Sequence, residues 1–557
     1  MTEMINISFV DGKEMQIGQG ATLAYLASIS PESTLEPLAA VVNDELQELD
    51  YPLFADSKIR WLDYDCDLGR AIYKRGSIFV LNVAAKQLFP KRQLWVSHSL
   101  GDGLFCWLDR EDGIAITPTE VTALGKRYME LVEADLPIRH TRISREDGAT
   151  YFRMGGNTAK AHLLEHRSDA YVSLYTMEGV CEYLFGRMVN RSGLLGKSRL
   201  QPFEDGFVLH LPPRHYLGCL DTEQFEPKQL HTILNEYHDW SELLKVETVA
   251  DLNDAIAHGE FRELMLIAET LQERALHKIS DDLFSLFPEV RLLLLAGPSS
   301  SGKTTTTQRL KIQLRTLGIK PILISMDDYF IDREKTPLQQ NGKPDYEGLS
   351  ALNLSLFNQH MQALLAGEEV RLCRYDFVSG KSGFANKSYR LEDNQIILVE
   401  GIHALNEQVS QTIDARNKRK MFVSALTQLN FDQYTPVGTS DVRLFRRMVR
   451  DMQFRNMTPS ATLNHWDEVR RGEHQNIFPF QEDADYFFNS TLVYELPVLR
   501  PIVEQALLTV NPDDASYLDA KRLLRFIRYF KPVEDGINYV PLNSILREFL
   551  GGGIFDY

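Results

Sequence analysis

Arg291-Leu-Leu-Leu-Leu-Ala296 runs directly into Gly297-Pro298-Ser299-Ser300-Ser301-Gly302-Lys303-Thr304-Thr305. The spacing G-x-x-x-x-G-K-[ST] is that of a loop whose backbone N–H groups wrap a polyphosphate. Lys303 would neutralise the β- and γ-phosphates, and the Thr304 hydroxyl would hold Mg²⁺. A chance Gly/Ser turn would lack the flanking elements this one has. An apolar strand leads in, and Thr304–Leu317 reads as a helix leading out, whose N-terminus adds positive potential. Residues 297–305 are therefore expected to bind ATP or GTP with Mg²⁺.

Two more apolar runs end in carboxylates. Pro321-Ile-Leu-Ile-Ser325 precedes Met326-Asp327-Asp328-Tyr329, and Gln395-Ile-Ile-Leu-Val399 precedes Glu400-Gly401-Ile402. In a parallel α/β sheet, ligands gather at the carboxyl ends of the strands. Lys303, Asp327 and Glu400 should therefore converge. Phosphoryl transfer to a hydroxyl needs one carboxylate to take a proton and another to support the metal. Asp327 suits the first task and Glu400 the second. Taken singly, each carboxylate is equally a turn former or helix cap.

Further on, Arg443, Arg446, Arg447 and Arg450 recur at helical spacing and share one face. Such a face suits charge on a transferring phosphoryl group. Its bland alternative is a set of arginines paired with acidic neighbours.

With these pieces in order, residues 290–495 resemble the uridine kinase/phosphoribulokinase family of P-loop kinases. The resemblance rests on Gly297–Thr305, Ser325-Met-Asp327-Asp-Tyr329, Arg374-Tyr375-Asp376-Phe377, Val399-Glu400-Gly401-Ile402 and Arg446-Arg447-Met-Val-Arg450-Asp451. It implies that Asp327 is the catalytic base and that Tyr329, Tyr375 and Asp376 lie near the acceptor. It also implies that Arg447 and Arg450 come from a mobile lid over the phosphates, with Arg455 in reach. The base-reading positions depart from the family. Where an Asp-His-Pro-Asp element is usual, this chain has Tyr346-Glu347-Gly348-Leu349; the resemblance implies that Glu347 would keep the ribose contact, while the His and the second Asp are gone. Gly380 stands where a histidine is frequent. The acceptor is thus left open between the 5′-hydroxyl of a nucleoside and another small alcohol or sugar. A non-catalytic ATP-binding regulator that recognises RNA is the alternative from a different class.

At 557 residues the chain exceeds one core, and several domains are expected. The reading divides it into 1–62, 63–240, 241–287, 288–496 and 497–557. The expected fold class is an α/β P-loop kinase domain with a parallel sheet, behind two smaller α+β domains. A net charge of −17 argues against a broad nucleic-acid surface. No apolar run is long enough to cross a membrane, and the start lacks the pattern of a secretory signal. The five cysteines are scattered without C-x-x-C spacing, which suits a reducing cytoplasm and gives no thiolate metal site.

Residues 1–62 show alternating strands around Asp11-Gly12, a hairpin signal, then a helix near Thr22–Ile29. They resemble the β-grasp module at the front of threonyl-tRNA synthetases. Gly76-Ser-Ile-Phe-Val-Leu-Asn-Val-Ala-Ala-Lys-Gln-Leu-Phe-Pro90 and Leu184-Phe-Gly-Arg-Met-Val-Asn-Arg-Ser-Gly193 resemble the second, editing-type domain of threonyl- and alanyl-tRNA synthetases. Where that domain carries metal-ligating side chains, this chain has Arg75, Phe79, Leu184 and Met188. None is a good metal ligand, so editing chemistry is not expected. His162-Leu-Leu-Glu165-His166 matches a zinc-peptidase pattern, but without a third ligand at a telling position it reads as a polar helix end. Residues 243–287 read as connecting helices, and a further helix is expected around Ala520–Phe530. The apolar tail from Leu542 to Tyr557 is expected to dock on the kinase body or on a partner subunit, which leaves homo-oligomerisation open; the alternative is a frayed end.

Overall fold

The computed structural model describes all residues except 1–2, 31–35, 102, 168, 213–227, 339–341, 343, 428 and 557. It divides into two compact units. The first holds Met1–Glu226, Thr248–Ala250 and Gln428–Pro436; the second holds Pro227–Glu247, Asp251–Thr427 and Val437–Tyr557.

The first unit begins with a five-stranded sheet in the order Glu14–Gly18, Met4–Phe9, Ser57–Leu62, Ala39–Val42, Glu45–Gln47. Met4–Phe9 pairs antiparallel with Glu14–Gly18 and parallel with Ser57–Leu62. Alternation places Ile5, Ile7 and Phe9 inward. Gly12 takes the left-handed turn conformation that a tight hairpin requires, at φ 87°. Thr22 caps the helix Leu23–Ile29 by accepting from the Tyr25 N–H. Beyond this module lie the long helix Asp67–Leu88, the helix Pro118–Glu133 and two antiparallel sheets. Thr117 and Glu120 close a reciprocal capping box at the start of Pro118–Glu133.

Residues 428–436 complete this unit, although they lie far along the chain. The Val96 N–H donates to the Gln433 carbonyl, the Val96 carbonyl accepts from the Asn430 side chain, and Phe431 stacks on Phe185 at 5.6 Å. The sequence reading keeps this stretch inside 288–496. Only contacts distant in sequence reveal where it packs.

The second unit is built on a fully parallel sheet. Its order is Lys320–Ser325, Gln395–Glu400, Leu292–Ala296, Lys418–Ser424, Tyr486–Asn489. The central strand Leu292–Ala296 is fully buried at every position, which accounts for its unbroken apolar run. From it the chain moves to one side for two strands and then to the other. In open sheets of this kind, ligands bind at the carboxyl ends where that direction reverses. The helix Lys303–Thr316 follows the central strand, and helices Thr439–Phe454, Pro459–Asn476 and Glu495–Leu508 follow the outer ones. An antiparallel hairpin, Val370–Asp376 with Lys381–Tyr389, forms a separate ribbon. The core of this unit gathers Leu292, Leu294, Ile324, Phe357, Val399 and Phe422.

Among the described residues no helix is long and apolar enough to cross a membrane. Cys66, Cys106, Cys181 and Cys373 are free thiols, and Cys219 lies outside the described residues.

Leu294 has no exposed surface at the centre of the sheet. Leu294→Ala should destabilise the second unit by about 2–5 kcal/mol, through lost transfer energy and a cavity that neighbours cannot fill. Denaturant titration of the full chain checks this, with Leu266→Ala as the exposed control expected to stay within about 0.5 kcal/mol of wild type.

Candidate active site

The loop after Leu292–Ala296 is shaped by what presses on it. A Cβ on Gly297 would stand 2.0 Å from the Val423 carbonyl oxygen of the next strand, so only glycine lets the chain leave the sheet here. Gly302 turns the loop into the helix Lys303–Thr316 with φ 85°. Lys303 Nζ donates to the carbonyls of Gly297 at 2.8 Å and Pro298 at 3.2 Å. The hydroxyls of Ser300 and Ser301 are buried without a hydrogen-bond partner. Unmet donors in a turn that opens onto a helix N-terminus suit phosphate oxygens.

Three of the expected side chains come together here. Burial pushes the Lys303 ammonium below its ordinary pKa, and the carboxylates of Glu400, Glu548 and Asp327 oppose that shift. Burial pushes the Glu400 carboxyl up to about 7; Asp327 and Glu548 push it the same way, while Lys303 and a hydrogen bond from Thr304 oppose them. Thr304 and Glu400, the pair expected at the metal, are therefore neighbours. Asp327 is raised first by loss of solvent and then by Asp328, against Lys303 and Arg455. It keeps accessible surface although protein surrounds it on most sides, as a cleft residue does. Glu347 joins the group: burial raises it, Glu473 and Asp327 add to that, and Arg447 and Lys303 oppose it.

The arginine helix Thr439–Phe454 braces the loop from the other side. Arg447 Nη1 donates to the Ser299 hydroxyl at 2.8 Å and its Nε lies 3.2 Å from Asp451. Burial, then Arg455, lowers Arg450 to about 10, which leaves it short of negative charge. The other two arginines do not present themselves to an anion. Arg443 grips Glu473 and donates to the Ser299 carbonyl at 3.1 Å. Arg446 is fully buried, with Glu495 at 2.6 Å and Ser490 at 2.9–3.0 Å. The one-sided basic face expected from spacing is thus split. Its buried half is neutralised by carboxylates that spacing cannot reveal, because an unpaired guanidinium there would be costly.

Three residues expected near the acceptor have partners within the protein. Tyr329 is 1% exposed and faces the core, with its hydroxyl 2.9 Å from His360 Nδ1 and its ring edge-on to Phe357. Asp376 is spent on the hairpin turn, accepting from Val378 N–H at 2.9 Å and the Ser379 hydroxyl at 2.8 Å. Tyr375 packs between Phe330 and Phe377, and its N–H donates to Asp328 at 3.3 Å.

Sequence reasoning missed Glu473, Glu548 and His403. Glu473 accepts from the Ser299 N–H at 2.8 Å, and no motif marks it. His403 is 2% exposed and lies beside the backbone of Glu347. Among the described residues no group of three or more His, Cys, Asp or Glu side chains is arranged to hold a metal. Thr304 and Glu400 fit a hard cation that takes its remaining ligands from phosphates and water.

Residues 292–495 match the sequence pattern that defines the Phosphoribulokinase / Uridine kinase family. The fold and the loop thus define a P-loop kinase-type α/β unit in the second part of the chain. The N-terminal part is similar to threonine–tRNA ligases. That of Desulforamulus reducens is 28% identical over 199 residues, 35% of this chain and 31% of the ligase. That of Syntrophomonas wolfei is 28% identical over 174 residues, 31% of this chain and 27% of the ligase. The chain thus spans about a third or less of the length of these relatives. Among solved structures, a possible uridine kinase from Bacillus stearothermophilus aligns over 27% of this chain and 79% of its own, at 20% identity and TM-score 0.23. D-glycerate 3-kinase from Cryptococcus neoformans var. grubii aligns over 45% and 81%, at 12% identity and TM-score 0.20.

Burial lowers the His403 pKa to about 4 from its usual 6.5. The folded protein therefore resists protonating it, while the unfolded chain does not. Its contribution to stability is complete above pH 6.5 and is lost as pH falls toward 4. Between about pH 7.5 and about pH 5 the loss should be on the order of 2 kcal/mol, and His403→Leu should shrink it. Urea midpoints at the two pH values check this; an equal drop in variant and wild type would refute it.

Proposed function

We propose that this protein is an ATP-dependent small-molecule kinase that transfers the γ-phosphoryl group to a hydroxyl, first of all the 5′-hydroxyl of a nucleoside. One observation carries the reading: Lys303, Asp327 and Glu400 act on one another electrostatically at the carboxyl ends of adjacent parallel strands, with Thr304 beside Glu400. On this reading the phosphates lie along Gly297, Pro298, Ser299, Ser300, Ser301, Gly302, Lys303, Thr304 and Thr305, with Arg450 over them. Thr304 and Glu400 hold Mg²⁺, which when bound screens charge on the phosphates. Asp327 accepts the proton of the attacking hydroxyl. Its raised pKa, set first by burial, makes it a better proton acceptor than an ordinary surface carboxylate. Arg447 steadies the transferring group through its place beside Ser299. Glu347, close in charge to both Asp327 and Lys303, is the acceptor-side residue.

The same reading assigns 288–496 to the kinase domain, 241–287 to a helical connector and 497–557 to a C-terminal extension. It assigns 1–62 and 63–240 to synthetase-like modules that pack or dock without hydrolysing tRNA. The cytoplasm is its proposed location.

Removing a positioned base costs ~10²–10⁴ in rate. Asp327→Ala should therefore nearly abolish ADP release from ATP–Mg²⁺ across a panel of nucleosides, pentoses and small polyols, while ATP still binds. Near-normal turnover in that variant would exclude Asp327 as the base.

Lys303→Ala should weaken both turnover and ATP binding. Calorimetric titration checks the second, and unchanged ATP affinity would exclude the phosphate site.

A further inference from the structure

The carboxyl-terminal segment of the second unit reaches the phosphate loop. Glu548, on the short turn of helix Arg547–Leu550, accepts from the Thr305 N–H at 3.1 Å and from the Thr305 hydroxyl at 2.8 Å, both through Oε2. Ile545 presses on the loop as well: a Cβ on Gly302 would stand 2.6 Å from its Cγ2. Phe549 is fully buried, with the Arg446 guanidinium 5.2 Å from its ring centroid. Glu548 itself is only 8% exposed and lies within the electrostatic field of Lys303, Glu400 and Arg450.

An oxygen anion that takes one backbone N–H and one hydroxyl in the first turn after the loop makes the bonds a phosphate oxygen would make there. A nucleoside triphosphate would bring several negative charges to the same donors. Glu548 and a phosphate cannot both hold Thr305, and two like charges at such short range in a buried site repel strongly. In its seat Glu548 adds to the pressure that raises Glu400 and opposes the lowering of Lys303 and Arg450. The segment is a single short turn outside the parallel sheet, so its displacement would leave the sheet intact at the cost of exposing the buried Ile545, Leu546 and Phe549.

We propose that the tail around Ile545–Leu550 is an intramolecular competitor of the nucleotide, with Glu548 occupying the Thr305 donors until a nucleoside triphosphate displaces it. The inference rests on the reading of Gly297–Thr305 as the ATP site. The tail lowers apparent nucleotide affinity by the fraction of molecules in which it is seated. Anything that draws the tail away, such as a partner or a second copy of the chain, would then raise nucleotide occupancy.

The test is calorimetric titration of the full chain with ATP–Mg²⁺, comparing wild type, Glu548→Gln and Lys303→Ala. Hydrogen exchange at residues 541–553 is followed with and without saturating ATP. The amide introduced by Glu548→Gln keeps the shape of the side chain and an oxygen acceptor while losing the charge, so this variant should fold. It should bind ATP roughly tenfold tighter than wild type. In wild type, ATP should accelerate exchange in the tail. ATP affinity in Glu548→Gln equal to or weaker than wild type, with tail exchange unchanged at saturating ATP, would overturn the inference and make Glu548 a fixed part of the loop. No ATP binding by wild type or Glu548→Gln would instead overturn the ATP reading itself, and this inference with it. Should Glu548→Gln fail to fold, the exchange measurement on wild type decides alone.

Discussion

A lysine held in a half-buried place at the positive end of a helix is the constraint around which the second unit is arranged. Burial disfavours the Lys303 ammonium, and the N-terminus of Lys303–Thr316 adds like charge. The sheet supplies the remedy. Glu400 ends one parallel neighbour of the central strand, and Asp327 follows the strand beyond it. Strand order thus delivers the carboxylates that make the loop lysine tolerable. The remedy is incomplete, because each carboxylate loses water and faces another, so Asp327, Glu347 and Glu400 are all raised. A site strained in both signs at once is suited to a ligand that brings phosphates and a divalent cation together.

A second ring of charge secures the first. Arg443 with Glu473 and Arg446 with Glu495 are buried ion pairs that also touch the loop's own backbone at Ser299 and Ser300. Such pairs add little net stability over a well-packed apolar core, since desolvation offsets attraction. What they do is fix the loop's height above the sheet: moving it would strip partners from guanidiniums that have no water to turn to. Arg447 and Arg450, by contrast, reach toward the loop hydroxyl and the carboxylate cluster, and both share the single carboxylate of Asp451.

The legible part of this chain was what depends on neighbours in sequence. The phosphate loop, its strand and helix, the carboxylates closing two further apolar runs and the Asp11-Gly12 hairpin all follow from local spacing. The illegible part depends on partners far along the chain. The helical face of Arg443, Arg446, Arg447 and Arg450 looked uniform because its counter-ions lie on two later helices, at Glu473 and Glu495. Tyr329 sits one residue past Asp328, yet a 3-10 turn over Met326–Tyr329 sends its ring into the core. Asp376 closes a tight turn, an ordinary fate for an aspartate and one that no motif match excludes. Glu548 lies in a stretch whose composition suggests only an apolar tail.

The first unit follows the same logic with a different outcome. Phe79, Leu184 and Met188 are packed into the core, and Arg75 Nε is tied to the Arg187 carbonyl at 2.7 Å. The charge that matters in this unit is Lys160, which is fully buried between Glu182 and Asp432 and sits 4.4 Å from the ring centroid of Tyr434. Burial alone would lower its pKa, but the two carboxylates more than offset that and hold it raised. Asp432 belongs to the short stretch 428–436, encoded between two segments of the other unit. A polypeptide ending near residue 240 would keep the lysine and Glu182 but lose Asp432 and the Tyr434 ring. The synthetase-like part is therefore not a self-sufficient module attached to a kinase-type one: its electrostatic balance is completed by residues that the second half of the sequence supplies.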